Sequence, residues 1–404
     1  MRKSALSLLG AAALLLSLSV GVWGASSGPV VIGTLMGLTG GLAPYGMPIQ
    51  NATDLAAMDI NQQGGVLGGR LLVMAHRDTA TNPQVGVDAA SKLVNIDGAT
   101  AIVGALGSQI TISAAQSVTI PAGVVLISPA STSPEITTLD DDDLVFRTVL
   151  SDTMQGVALA NLALELGYKT MSVIYINNAY GQGLYEKFAE SYQAGGGRIL
   201  GAAAYDEGKA SYRGELQAVT RNGTPDALLV IGYVQQGGTT IMMQAIEGGF
   251  VRRFLLPDGL KSEEVIRALG ASVLEGTYGT AASDPSSAFN ERYAEQYGTP
   301  PPQPYMAEAY DAVFLLAMAI EKAQSTEGRA IAAGLRAVLS PDGEEVRAGE
   351  WEKARQLIAQ GRTIRYIGAS GPIFFDENGD RAGGTVQVWK ITGGQIVTDR
   401  ILEF

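Results

Sequence analysis

From Val30 to Leu256 the chain alternates short β-rich runs with longer stretches of helical spacing, and it does so in two successive series. In the first, Val30–Leu35, Leu71–Ala75, Ala101–Val103 and Val124–Ile127 are apolar and rich in β-branched residues, the mark of strands buried on both faces of a parallel sheet. Helical spacing fills the gaps at Gln50–Asn61, Val85–Asn95 and Ile110–Thr119, and Asn82-Pro83 places a proline near a helix start. The second series has strands at Met171–Ile176, Arg198–Ala203, Ala227–Ile231 and Phe254–Leu256, with helices at Met154–Leu166, Leu184–Gln193, Tyr212–Thr220 and Thr239–Ile246. Each series predicts an α/β unit whose Gly-rich turns gather at the carboxyl ends of the strands, where open α/β sheets bind ligands. Two such sheets facing one another put two sets of turns across a common cleft.

After Pro285 the rhythm changes. Helices are expected at Ser286–Gln296, Met306–Ala323, Arg329–Leu339 and Glu350–Gln360, followed by strands at Ile364–Ile367, Pro372–Phe375, Thr385–Ile391 and Gln395–Leu402. No low-complexity linker separates the parts, and 404 residues exceed what one core usually holds.

The first residues, Met1-Arg2-Lys3 and then an apolar run from Leu6 to Val22, read as a secretory signal peptide over residues 1–24. The run is short for a membrane anchor, which needs about 20 apolar residues. No Cys follows it for lipid attachment, so the expected location is the periplasm or its equivalent. Loss of Arg2 and Lys3 leaves 26 basic and 40 acidic residues, a net charge of −14. That charge is poorly suited to nucleic acid or an anionic membrane. With no Cys and one His, His76, the chain lacks a disulfide framework, a zinc cluster and the usual base of a hydrolytic triad. No enzyme activity, metal or cofactor is expected.

Several motifs then occur in a recognisable order: Ala57-Met58-Asp59-Ile60-Asn61-Gln62-Gln63-Gly64-Gly65-Val66, Gly104-Ala105-Leu106-Gly107-Ser108, Ser128-Pro129-Ala130-Ser131-Thr132-Ser133-Pro134, Phe146-Arg147-Thr148, Tyr180-Gly181-Gln182-Gly183 and Gly371-Pro372-Ile373-Phe374-Phe375-Asp376. In these the chain resembles the periplasmic branched-chain amino-acid-binding proteins, type I solute-binding proteins of ABC importers. The resemblance implies a two-lobed fold, each lobe a mainly parallel sheet flanked by helices, with a hinge of three crossovers near Thr148, Thr280 and Thr385. Lobe one is then 25–149 and 282–385, and lobe two 150–281 and 386–404. It implies a monomer that closes on a small ligand, an amino acid, and presents it to membrane permease subunits.

The resemblance also assigns roles. Ser108 opens a helix after a strand, a place suited to a ligand carboxylate and equally to an N-cap. Ala130 would give its carbonyl to the ligand ammonium, and Thr132 its hydroxyl to the carboxylate. Asp258, in Leu256-Pro257-Asp258-Gly259, stands where the family carries Glu to bind the α-ammonium, one methylene shorter. Tyr45, Tyr180, Tyr233 and Tyr305 match positions that wall the site, each with an apolar face and a polar tip. The shortened carboxylate leaves open an amide, urea-like or aromatic carboxylate ligand, and a sensing role. Asp376-Glu377-Asn378-Gly379-Asp380 lacks the spacing of a calcium loop and reads as a hairpin turn, and Asp140–Asp143 as a solvated acidic loop.

Overall fold

The structure, a computed structural model, describes residues 28–282, 284–299, 301 and 303–404. The expected signal peptide lies outside them. The first series folds into a five-stranded, all-parallel sheet of β1 (Val30–Met36), β2 (Leu72–Asp78), β3 (Ala101–Gly104), β4 (Val125–Ser128) and β5 (Val145–Arg147), in the order β2-β1-β3-β4-β5. Every residue of β3 and β4 is buried, whereas the edge strand β2 is mostly half-buried. This is why the inner strands read as unbroken apolar runs.

The second series supplies β6 (Thr170–Ile176), β7 (Arg198–Tyr205), β8 (Ala227–Ile231) and β9 (Phe254–Leu256), joined by β10 (Tyr278–Ala282). The last two long strands, β14 (Thr385–Thr392) and β15 (Gln395–Glu403), complete a seven-stranded sheet in the order β15-β14-β10-β9-β8-β6-β7. Only β14 and β15 run antiparallel to their neighbours. Between β10 and β14 in sequence, β11 (Leu339–Arg347), β12 (Ile364–Gly368) and β13 (Gly371–Pro372) make a small third sheet. The strand expected over Pro372–Phe375 shrinks to β13 plus one isolated bridge, Phe375 with Arg381. Here the chain turns away to meet the first lobe.

The helix Met306–Ala323 is buried from Met306 to Glu321 because it lies between the helices Ala43–Gln62, Gly328–Val338 and Trp351–Ala359. The run Asp140–Asp143 is largely exposed, as a solvated acidic loop should be, and it pairs with the helix Gly328–Val338: Asp142 with Arg329 at 2.8 Å and Asp143 with Arg336 at 2.5 Å. His76 bridges Thr34 and Asp54 along the sheet edge.

The chain passes from the five-stranded to the seven-stranded sheet after β5, leaves the latter after β10 for helices that pack on the five-stranded sheet, and returns at β14. Thr148 directly follows β5, Thr280 lies inside β10, and Thr385 opens β14. Buried polar groups tie the passages together. Arg147 holds Asp380 through two bonds, Nε–Oδ1 at 2.5 Å and Nη2–Oδ2 at 2.6 Å, and Arg381 donates to the Thr148 carbonyl at 3.0 Å. Lys261 donates to Gln387 in β14 and lies 3.6 Å from Asp284. Asp376 caps its own turn by accepting from the Asn378 and Asp380 amides.

Candidate functional site

The turns at the carboxyl ends of both sheets converge on a small enclosed cavity of about 20 Å³ lined by Leu42, Tyr45, Ile49, Leu106, Ser108, Ala130, Tyr180, Tyr233, Asp258, Gly259 and Tyr305. Seven of the eight residues singled out from sequence are in this lining. Thr132, the eighth, is buried beside it with its hydroxyl turned elsewhere, donating to Asp152 Oδ2 at 2.9 Å.

Asp258 ends up here because β9 stops at Leu256 and the chain turns at once into a single 3-10 turn, Asp258–Leu260. The residue after it must be small: a Cβ on Gly259 would come within 2.4 Å of the Gly232 carbonyl. The carboxylate is then fully buried and held by three side-chain donors. Oδ1 accepts from Gln155 Nε2 at 2.6 Å and from Tyr180 Oη at 2.9 Å, and Oδ2 accepts from Tyr305 Oη at 2.6 Å. The Tyr45 hydroxyl donates to the Asp258 carbonyl at 3.4 Å. Burial raises the Asp258 pKa, and the bonds from Tyr305, Gln155 and Tyr180 pull it back down.

Asp152 is the functional candidate that sequence reasoning missed. It is the first residue of the helix Asp152–Glu165, with Ser151 as its N-cap, and Gln155 follows on the same face. Both are buried. Asp152 Oδ2 is satisfied by Thr132, but Oδ1 is buried with no hydrogen-bond partner. Burial, and next the negative charge of Asp258, push its pKa well up, opposed by Thr132 and by Arg147. Arg147 itself is spent on Asp380, Thr137 and the carbonyls of Ser131 and Ser133. No Lys, Arg or His lines the cavity. Two buried carboxylates thus stand together without a cation of their own, an arrangement a positive ligand group stabilises.

The opposite wall is apolar, with Leu42, Ile49 and Leu106 from the first lobe. Tyr180 and Tyr233 stack at 5.6 Å between centroids, nearly parallel. Tyr305 reaches Asp258 from the N-cap of the helix Met306–Ala323 with φ 80, a left-handed backbone that is costly for a bulky residue and is held by its surroundings. Ser108 is not an N-cap: Gly107 takes that place, and the Ser108 hydroxyl accepts from the Ser133 amide at 3.2 Å. Ala130 sits in a turn fixed by Ser128, whose hydroxyl accepts from the Ala130 and Ser131 amides.

Comparison with known proteins agrees with this architecture. The model of the receptor family ligand binding region matches residues 48–394. The leucine-, isoleucine-, valine-, threonine- and alanine-binding protein of Pseudomonas aeruginosa is 30% identical, over 74% of this chain and 80% of its own length. The Leu/Ile/Val-binding protein BraC3 of Rhizobium johnstonii is 29% identical, over 91% of this chain and 93% of its own. Among solved structures, the leucine-binding protein LivK of Thermotoga maritima superposes with a TM-score of 0.77 at 27% identity, over 92% of this chain and 98% of that one. These relatives are solute-binding proteins, and no helix among the described residues is long and apolar enough to cross a membrane. Two α/β sheets, three passages and a cleft at the strand ends make the fold that of a type I periplasmic binding protein, and the chain belongs to the family of periplasmic branched-chain amino-acid-binding proteins.

Proposed function

We propose that this protein captures an amino acid in the cleft between its two lobes, outside the cytoplasm, and delivers it to the permease of an ABC importer. The observation that carries the reading is the Asp258 carboxylate, which lines the cavity with no basic side chain in that lining, and the second carboxylate, Asp152, buried behind it. A ligand ammonium supplies the missing charge: it faces Asp258, with the buried Asp152 Oδ1 behind. Ser108 and the Ser128–Pro134 turn receive the ligand carboxylate, and Leu42, Ile49 and Leu106 pack its side chain. Charge-assisted hydrogen bonds contribute about 1.5–3 kcal/mol each, so two of them plus apolar burial reach the roughly 8 kcal/mol of micromolar binding.

Lobe one is 25–149 with 282–385, and lobe two 150–281 with 386–404. The site draws on both, Tyr45, Ser108 and Tyr305 from the first and Tyr180, Tyr233 and Asp258 from the second, so a bound ligand favours the closed form. The names of the relatives, which bind leucine, isoleucine and valine, support the ligand class. Thermal-shift screening of purified, ligand-stripped protein tests it. Stabilisation by amino acids is expected; stabilisation by benzoate-like acids, amides or urea compounds and by no amino acid overturns the reading.

A further inference from the structure

The amino-acid cavity has a larger neighbour. A second cleft of about 250 Å³ opens beside it, lined from the first lobe by Asn82 and Gln109 and from the second by Asn178, Tyr205, Asp206 and Glu207. Tyr233 borders both spaces, with its hydroxyl end at Gly107. The two spaces adjoin at Tyr233, the inner one mostly apolar and tightly enclosed, the outer one polar, with the Tyr233 ring as the wall between them.

The charges of the outer part do not balance. Asp206 accepts from Asn177 at 2.9 Å and has Lys209 at 3.3 Å. Glu207 is half-buried and makes no ion pair among the described residues; its polar neighbours are neutral, the Gln236 side-chain amide and the hydroxyls of Tyr205 and Tyr233. No Lys, Arg or His lines either space. Beside Glu207, the Tyr205 hydroxyl is buried without a hydrogen bond, the Tyr233 amide being its nearest donor. Burial raises the Glu207 pKa, as expected for a carboxylate that no cation compensates.

Resting on the amino-acid reading of the inner cavity, we propose that the outer compartment receives the far end of the ligand and that this end is a cation. The favoured ligand is an amino acid whose side chain finishes in an ammonium or guanidinium. Its α-ammonium lies at Asp258, its first methylenes pack on Leu42, Ile49 and Leu106 as in the reading above, and the chain then displaces the Tyr233 ring so that its terminal donors reach Glu207 and Tyr205. Glu207 is the residue that selects a basic over a neutral side chain.

Calorimetric titration of purified, ligand-stripped protein with L-lysine, L-arginine and L-norleucine tests this, in the wild type and in Glu207→Gln. Norleucine is the control, a straight chain without the terminal charge. At least one basic amino acid is expected to bind about tenfold or more tighter than norleucine, and Glu207→Gln is expected to collapse that ratio by about tenfold, the scale of one charge-assisted bond. Norleucine bound and both basic ligands excluded would overturn the inference while leaving the amino-acid reading intact, the outer space then being an entrance. A preference for basic ligands that Glu207→Gln leaves unchanged removes Glu207 from the role. If none of the three binds, the amino-acid reading fails and the inference falls with it.

Discussion

Tyr305, on the first lobe, donates its hydroxyl to Asp258 Oδ2, on the second, at 2.6 Å, and does so from a left-handed backbone. The bond spans the two faces of the cleft, so it exists only where the lobes are close. It also orients a buried carboxylate whose other oxygen is held by Tyr180 and Gln155. Three neutral donors stabilise the anion by hydrogen bonding without cancelling its charge. The site is in this sense preorganised for a cation.

Tyr305→Phe removes that bond and keeps the ring. Amino-acid affinity is expected to fall by about tenfold, or about 1.4 kcal/mol, measured by calorimetric titration.

Asp152→Asn should separate stability from function. Burial and Asp258 raise the Asp152 pKa in the folded protein, so the folded state binds this proton more tightly than the unfolded chain. Stability from this group is therefore complete at low pH and is lost as pH rises through the folded pKa. Ligand-free Asp152→Asn should melt above the wild type at pH 8, with the gap closing towards pH 4, while its affinity for amino acids falls. A wild type that melts higher at pH 8 would contradict the unpaired state of Oδ1.

Glu308 gives a second pH signature, in the hinge. Burial pushes its pKa up from 4.5 to about 7 despite Arg381 and Lys261 nearby. The same sign applies: stability declines as pH rises from 4.5 and levels off above about 7. The loss is about 3 kcal/mol at about 1.4 kcal/mol per pKa unit. Glu308→Gln should flatten that part of the pH–stability curve in urea unfolding.

Arg147→Ala strands Asp380 and frees the carbonyls of Ser131 and Ser133. Breaking a buried ion pair from one side costs about 3–5 kcal/mol. Because the same arginine fixes the turn that carries Ala130 and Thr132, binding should weaken too, as read by denaturant midpoint and titration together.

Much of this was legible in the residues. The strands β8 and β9 and the helix Met306–Ala323 have the bounds read from sequence, since continuous burial leaves an unbroken apolar signal. Strand β11 was not among the expected elements: it contains Pro341 and Gly343, and its pairing with β12 is irregular between Leu339 and Glu344. Strand β10, Tyr-Gly-Thr-Ala-Ala, has little β propensity of its own and is a strand because β9 and β14 flank it. Asp152 was invisible for a different reason. An Asp directly after an N-cap Ser is ordinary helix-start chemistry, and only the packing of the second lobe against the first shows it to be buried beside Asp258. Thr132 was expected in the site, yet it does not line the cavity and its hydroxyl serves Asp152, a partnership no spacing reveals.

The central claim is that the buried carboxylates recognise an α-ammonium. It is tested most directly by titrating ligand-stripped protein with L-norleucine and with hexanoate, the same molecule without its amino group, in the wild type and in Asp258→Asn. The account predicts that the wild type binds norleucine about 100-fold or more tighter than hexanoate, the scale of two charge-assisted bonds, and that Asp258→Asn erases most of that difference. Equal affinity for the two ligands in the wild type would contradict it.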